Sequence, residues 1–201
     1  MGMTVVVATG NQHKLEEISK IFEGTGVVLK SMHDVVLGDM EIIEDGNTFE
    51  ENALIKARAV MEKTGCLSLA DDSGLEVDAI NLQPGIYSAR FAGEGATDQL
   101  NNEKLLSLLE NVPLEERTGR FVCAMAAVFP DGREFVLRGN CEGLIDTKPR
   151  GETGFGYDPL FIVPQYSKTF AELGPEIKNK ISHRAIALEQ MKILLQKAME
   201  E

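Results

Sequence analysis

Apolar residues recur along the chain at two spacings, and the change from one to the other predicts the order of elements. Val5-Val6-Val7, within Thr4 to Ala8, is a continuous β-branched run of the kind that suits a central buried strand. Thr9-Gly10-Asn11 breaks it. From His13, Leu15, Ile18 and Phe22 fall at helical spacing with Ile21 alongside, until Gly24 and Gly26. The opening is therefore strand, tight loop, helix. Thr48-Phe49-Glu50-Glu51 has the form of a capping box, in which Thr48 accepts from the Glu51 backbone while Glu51 reaches back. The helix it starts runs through Ala53, Leu54, Ala57, Val60 and Met61 to a stop at Gly65. Cys66 to Ala70 reads as a strand that meets a glycine turn at Asp71-Asp72-Ser73-Gly74. Leu100 to Leu109 is a leucine-rich helix, ended by Pro113. Phe121 to Phe129 and Glu134 to Asn140 flank Pro130-Asp131-Gly132 as a hairpin. Leu160 to Val163 is another short strand. Ser182 to Met199 is a terminal helix with Ala185, Leu188, Leu195 and Met199 on one face.

Strands and helices alternate early, a hairpin follows, and a helix closes the chain, which predicts an α/β protein with a mixed sheet. No repeat or low-complexity linker interrupts residues 1–201, so the chain reads as one domain without a firm internal boundary. Its 201 residues suffice for one sizeable core, as a single body or as two lobes. Hydrophobic content of 43% and charged content of 26% are those of a soluble globular protein. A net charge of −12 argues against a general nucleic-acid or anionic-membrane binder, since both need a basic face. Cys66, Cys123 and Cys141 form no CxxC pair, and Cys66 and Cys123 read as core residues in a reducing compartment. No segment approaches the roughly 18 apolar residues of a membrane span. The start lacks a signal core, and Val6 stands where a myristoylation signal wants Ser or Thr. The expectation is a cytoplasmic protein.

The most unusual residues are Asp71 and Asp72, adjacent carboxylates beside an apolar run. Repulsion and desolvation make such a pair costly unless a cation or a reacting proton compensates, although an Asx turn is the plainer explanation. Thr9-Gly10-Asn11-Gln12-His13-Lys14 lies at a strand-to-helix junction, where free N–H groups and the helix dipole favour an anion; taken alone, a capped turn with a surface lysine is the better reading. Glu44-Asp45-Gly46 precedes the second helix, and Lys56 lies two turns into it; taken singly, they read better as a solvated acidic loop and a surface lysine. Glu44 and the aspartate pair supply oxygen ligands only, which points to Mg²⁺ or Mn²⁺ rather than zinc. Gly151 to Pro159 is a glycine-rich loop whose spacing does not match GxGxxG. Its glycines would admit a planar ligand, and Phe155 would stack on it, unless the aromatics simply face the core. Lys178-Asn179-Lys180-Ile181-Ser182-His183-Arg184 runs into the last helix; it reads as a basic entrance capped by Ser182, except that Lys178 and Arg184 oppose the dipole unless an anion or polar ligand is present.

Together these segments resemble the inosine triphosphate pyrophosphatase family, the XTP/dITP diphosphatases. The matching pieces are Thr9-Gly10-Asn11-x-x-Lys14, Glu44-Asp45-Gly46-x-Thr48-Phe49-x-Glu51-Asn52-Ala53 and Lys56-Ala57. They continue with Ala70 to Leu75, Pro84 to Arg90, Gly154-Phe155-Gly156-Tyr157-Asp158-Pro159 and Ile181-Ser182-His183-Arg184, in the family's order and over nearly the whole chain. The resemblance implies an elongated mixed β-sheet with flanking helices forming two lobes around a substrate cleft, and a homodimer. It implies hydrolysis of a purine nucleoside triphosphate (ITP, dITP or XTP) to the monophosphate and pyrophosphate, which cleanses the nucleotide pool. Carried over, Glu44 and Asp72 hold Mg²⁺, or Mn²⁺ in its place, and Asp72 is the proton acceptor for water. Thr9, Gly10, Asn11, Gln12, His13, Lys14, Lys56 and Ser73 face the phosphates and sugar. Phe155, Gly156, Tyr157, Asp158, Lys178, His183 and Arg184 form the base site. Asp71 is either an orienting neighbour of Asp72 or a further ligand. Donors such as Arg184, His183 or Lys178 would accept the C6 keto group of hypoxanthine and xanthine and reject adenine.

Two rival readings remain. A Maf-like pyrophosphatase has related chemistry but prefers modified pyrimidine triphosphates; the Phe155-Gly156-Tyr157-Asp158 loop and the Ser182-His183-Arg184 ending favour the purine side. A catalytically silent nucleotide sensor would have no need of a base beside its metal.

Overall fold

The computed structural model describes residues 3–35, 37 and 40–200. The side chain of Met199, expected on the inner face of the last helix, lies outside the described residues. In chain order the strands are β1 (Thr4–Val7), β2 (Val28–Ser31), β3 (Leu67–Val77), β4 (Gln83–Pro84), β5 (Thr118–Val128), β6 (Glu134–Ile145), β7 (Phe161–Val163) and β8 (Lys168–Thr169). The helices are α1 (Gln12–Phe22), α2 (Phe49–Thr64), α3 (Asp98–Leu108), α4 (Phe170–Ile181) and α5 (His183–Glu200). The hydrogen-bonded order is β2-β1-β3-β5-β6-β7-β8, with β4 on β3, and it mixes parallel with antiparallel neighbours. The expected mixed α/β sheet with flanking helices is what the chain forms. No helix among the described residues is long and apolar enough to cross a membrane.

Backbone contacts divide the chain into two compact units. The first contains residues up to Asp72, Cys123–Gly139 and the chain from Arg184 on. Here β1 lies between two parallel neighbours, with Val7 opposite both Ser31 and Leu69. Val5, Val7, Leu67 and Leu69 meet Ile18 and Phe22 of α1 and Leu188, Met191 and Leu195 of α5 in one core. The last three recur at helical spacing, which is why α5 buries that stripe. The β5–β6 turn closes as expected, with Gly132 at φ 92° and its N–H donating to the Phe129 carbonyl. At the start of α2, Thr48 accepts from the Glu51 N–H. Glu51, however, reaches back to the Asn47 N–H and not to that of Thr48, so only half of the expected capping box forms.

The second unit contains Ser73–Val122 and Asn140–His183. Its core joins Leu75 and Val77 of β3 to Leu105 and Leu109, at the end of α3, and to Phe121, Phe161 and Phe170. Those three rings lie with centroids 4.6 to 5.9 Å apart. Arg117 is buried here and donates to the carbonyls of Leu109, Val112 and Asp146, covering acceptors that the end of α3 leaves open.

Two expectations need correction. The strand expected to stop at Ala70 continues to Val77, straight through Asp71-Asp72-Ser73-Gly74, so there is no glycine turn. Pairing with its neighbours overrides the local turn signal of Ser-Gly. Residues 170–181, to which the sequence pattern assigns no element, form α4, with a full capping box between Thr169 and Glu172. Gly174, at φ 75°, breaks this helix, and Pro175 reopens it where a missing N–H costs nothing. Lys178 thus sits in a last helical turn, where the dipole favours it. β6 also runs to Ile145, five residues past the expected end.

At one position in β6 backbone packing leaves no room for a side chain. A Cβ on Gly143 would lie 2.4 Å from the Ile162 carbonyl oxygen and 2.5 Å from the Phe161 ring. Gly143→Ala is expected to destabilise the protein by about 1–3 kcal/mol, because neither backbone nor a buried ring can step aside. A urea titration of Gly143→Ala with an unchanged midpoint would show that the contact yields more readily.

Candidate active site

In the first unit, register builds the site. Val7 pairs with Leu69, so the loop after β1 lies beside the residues that follow Leu69. The Ala8 N–H donates to the Leu69 carbonyl at 2.7 Å and continues the pairing one step further. The chain then turns into α1, where Asn11 caps the helix by accepting from the Lys14 N–H. This places the Lys14 ammonium 3.0 Å from Asp71 Oδ2. Arg184, in the first turn of α5, donates to the same oxygen from Nε and Nη2 at 3.2 Å, and its Nη1 donates to Glu17. Arg184 is 2% exposed.

Adjacent strand residues point to opposite faces, so Asp72 meets a different set of partners. Lys56 Nζ lies 2.7 Å from Glu44 Oε2 and 3.4 Å from Asp72 Oδ1. Asn52, one helical turn earlier in α2, donates to Asp72 Oδ2 at 3.2 Å and accepts from the Gly46 N–H at 2.9 Å. A single amide therefore fixes the Glu44-Asp45-Gly46 loop to the Asp72 carboxylate. Gly46 must be small here, since a Cβ would lie 2.7 Å from Asn52 Oδ1.

These environments push the carboxylates apart. Burial raises the pKa of Asp72 and Glu44 adds to the rise, against the pull of Lys56 and Lys14. Burial acts on Asp71 as well, but Lys14, Arg184 and Lys56 outweigh it and hold this carboxyl well below the usual range. Burial disfavours the Lys56 ammonium, yet Asp72, Asp71 and Glu44 more than compensate and its pKa rises. Asp71 is thus a permanent anion serving two cations, while Asp72 is the more basic of the pair.

No group of three or more His, Cys, Asp or Glu side chains gathers at metal-ligand spacing among the described residues. Glu44 and Asp72 nevertheless converge on one positive charge, the Lys56 ammonium. Two carboxylates suit a hard cation that keeps several waters and takes its remaining ligands from phosphate, so this donor set fits Mg²⁺.

In the second unit the glycine-rich loop folds around Asp158. Asp158 Oδ2 accepts from the Phe155 N–H at 3.0 Å and from Lys178 Nζ at 2.6 Å, and both charged side chains are buried. Lys178 Nζ also lies 4.4 Å from the centre of the Phe155 ring. Gly154, at φ 85°, admits no side chain, because a Cβ would sit 2.1 Å from Asp158 Oδ2. Tyr157 is buried and donates from its hydroxyl to the Ser88 carbonyl; burial raises its pKa and Asp98 adds to the rise. His183 stacks on Phe121, rings 4.8 Å apart and 13° from parallel.

The structure brings Glu44, Lys56 and Asp72 together, and Lys14 with Asp71. Phe155, Asp158 and Lys178 form a separate group with Gly156 and Tyr157 in the same loop. Thr9 accepts from the Asn11 N–H, and Gly10, Gln12 and His13 are exposed around the start of α1. Ser73 follows Asp72 in β3 and is half-buried. Arg184, expected with the base-site residues, has its guanidinium on Asp71 and Glu17. Sequence reasoning singled out neither Glu17 nor Asn52 as a site residue. A signal for Asn52 existed: it shares with Lys56 the helical stripe of Ala53, Ala57 and Val60, where a buried polar group needs a partner.

The Ham1 family model matches residues 5–194. The chain is 53% identical over 193 residues to a protein from Desulforamulus reducens named dITP/XTP pyrophosphatase, covering 96% of each. A Geobacter sulfurreducens protein of the same name is 51% identical over 189 residues, covering 94% of each. Among solved structures, the Staphylococcus aureus Ham1 protein matches with a TM-score of 0.88 at 40% identity, covering 97% of this chain and 99% of that one.

Proposed function

Because the chain belongs to the Ham1 family, we propose that it is a nucleoside-triphosphate pyrophosphatase. It hydrolyses deaminated purine nucleotides (ITP, dITP and XTP) to the monophosphate and pyrophosphate. The observation that carries the reading is Asp72, a buried carboxylate held by Asn52 and Lys56 beside Glu44. A structural protein has no use for such a group, and a sensor needs no base there.

Water attacks the α-phosphorus; the new P–O bond forms as the bond to the bridging oxygen of the β-phosphate breaks. Asp72 takes the proton from that water, which a carboxylate in a desolvated setting does well. Lys14 and Lys56 face the phosphates and offset the charge that gathers on the departing pyrophosphate. Asp71 holds Lys14 for that task, and the Asn11 cap sets the helix turn from which Lys14 extends. Glu44 and Asp72 would hold Mg²⁺, or Mn²⁺ in its place; when bound, the ion neutralises phosphate oxygens and acidifies water. The Phe155 to Asp158 loop, Lys178 and His183 receive the base, with Phe155 offering a face to stack on. Arg184 acts on the site through Asp71. The proposal includes a homodimer in the cytoplasm, with sedimentation at twice the monomer mass as its check.

Incubation with Mg²⁺ and each of ITP, dITP, XTP, GTP, ATP and dTTP tests the reading. The expected result is pyrophosphate as first product, fastest from the three deaminated nucleotides. Orthophosphate as first product would rule out attack at the α-phosphorus. Preference for dTTP would favour the Maf-like rival, and binding without turnover the sensor.

A further inference from the structure

The loop from Gly151 to Pro159 carries glycines at positive φ, at 151, 154 and 156, and such a segment loses much entropy when it is ordered. Something must fix it before a ligand arrives. Asp158 does so from within, at Phe155 and Lys178. The other end is held from outside by α3, at one residue. The Gly156 N–H donates to Asp98 Oδ2 at 2.6 Å, and the Gly156 carbonyl accepts from Asn102 Nδ2 at 3.0 Å. Residues 98 and 102 are one helical turn apart and share a face, so a single rigid element grips both polar groups of one glycine.

α3 is a firm base for this grip. Leu105 and Leu109 are fully buried in the core of the second unit. Asn101 accepts from the Ala92 N–H and donates to the Ala89 carbonyl, and Lys104 donates to the Phe91 carbonyl. The Asn102 amide keeps its place at a cost: its Oδ1 is buried with no hydrogen-bond partner among the described residues. Asp98, by contrast, is exposed, so its short charge-assisted bond to Gly156 adds little to global stability but orders a loop.

We propose that Asp98 and Asn102 are positioning residues for base selection: by clamping the two sides of Gly156 they set the height of Phe155 and Asp158. This rests on the reading of the Phe155 to Asp158 loop as the base site. Neither residue touches the base. They lower the cost of ordering the loop, so their loss weakens nucleotide binding without slowing the chemical step.

The test is steady-state kinetics of the full-length protein with XTP, ITP and GTP. Asp98→Ala is expected to raise KM for XTP and ITP by about five- to tenfold, the worth of one such hydrogen bond, with kcat within about twofold. The XTP-to-GTP ratio of kcat/KM narrows, and Asp98→Asn, which keeps an acceptor, recovers part of the loss. Asn102→Ala repeats the pattern. Thr97→Ala removes the cap of the same helix, where Thr97 Oγ1 accepts from Leu100 N–H, and should lower Tm while leaving KM alone. If Thr97→Ala raises KM as much as Asp98→Ala does, Asp98 acts through helix stability and the proposal is wrong. An unchanged KM in Asp98→Ala, with a raised KM in Lys178→Met, also overturns it. If Lys178→Met leaves KM unchanged too, the base-site reading itself fails and takes the inference with it.

Discussion

Asp72→Asn is expected to lower kcat for XTP by about 10²- to 10⁴-fold, the range that removal of a general base costs, while the protein stays folded. The change is isosteric, and it removes a buried charge that burial already disfavours. Its local cost is small but specific. Asn52 donates to Asp72 Oδ2 and Lys56 donates to Oδ1, so both carboxylate oxygens now face donors. An asparagine keeps only one acceptor, and whichever partner meets its NH₂ group loses a hydrogen bond. Slight loosening of the Glu44-Asp45-Gly46 loop should follow, because Asn52 also holds the Gly46 N–H. Single-turnover rates and a thermal melt together separate the two effects. Turnover near the wild-type rate would mean that Asp72 is not the base.

Arg184→Met is expected to produce the largest loss of stability, about 3–5 kcal/mol, or a fall in Tm of roughly 6–20 °C for a chain of this size. The substitution keeps the volume but leaves Asp71, 2% exposed, with Lys14 as its close cation. Glu17 loses the Arg184 guanidinium as well. Breaking a buried ion pair costs more than the pair is worth, because the remaining charge stays desolvated. That account makes a second requirement: Asp71→Asn added to Arg184→Met should recover part of the loss. A double variant no more stable than the single one would place the penalty in packing and not in charge. Because Asp71 also positions Lys14, the double variant should regain stability without regaining activity.

Much of the architecture was legible because it is local. The β-branched run of β1, the stripe of α1 and the turn between β5 and β6 each carry their signal within a dozen residues. The Ser73-Gly74 step shows where that reasoning stops. The residues around it do not say that a strand continues through it, since β5, which lies beside β3 in the sheet, is far along the chain; at the strand's end Glu76 and Val77 pair with the nearby β4. Residues 170–181 carry no legible element for another reason. Thr169, Glu172 and Pro175 were readable helix-start signals, but Gly174 splits the helix into pieces too short to show a period. At the site, residue type and position pick out the Asp71-Asp72 pair, Glu44 and Lys56 as candidates, the family resemblance gives Glu44, Lys56 and Asp72 their roles, and the structure brings these three together. Glu17 and Asn52 were passed over because their partners, Arg184 and Asp72, lie far along the chain. Arg184 shows the same limit: the dipole argument required an anion near it, and the protein supplies Asp71 and Glu17 itself.

The opposite facing of Asp71 and Asp72 has a consequence for how the chain finds its pairing. β3 is buried on both faces from Leu67 to Asp72, so its apolar residues do not distinguish one alignment from the next. The carboxylates do. A slip of one position sets one carboxylate in the other's surroundings and an uncharged neighbour in the second place: Asp72 beside Lys14 and Arg184 with Ser73 facing Lys56, or Asp71 facing Lys56 with Ala70 beside Lys14 and Arg184. The same two residues assigned to catalysis therefore also act as an alignment key, and misaligned pairings of β3 are penalised wherever they would strand a charge.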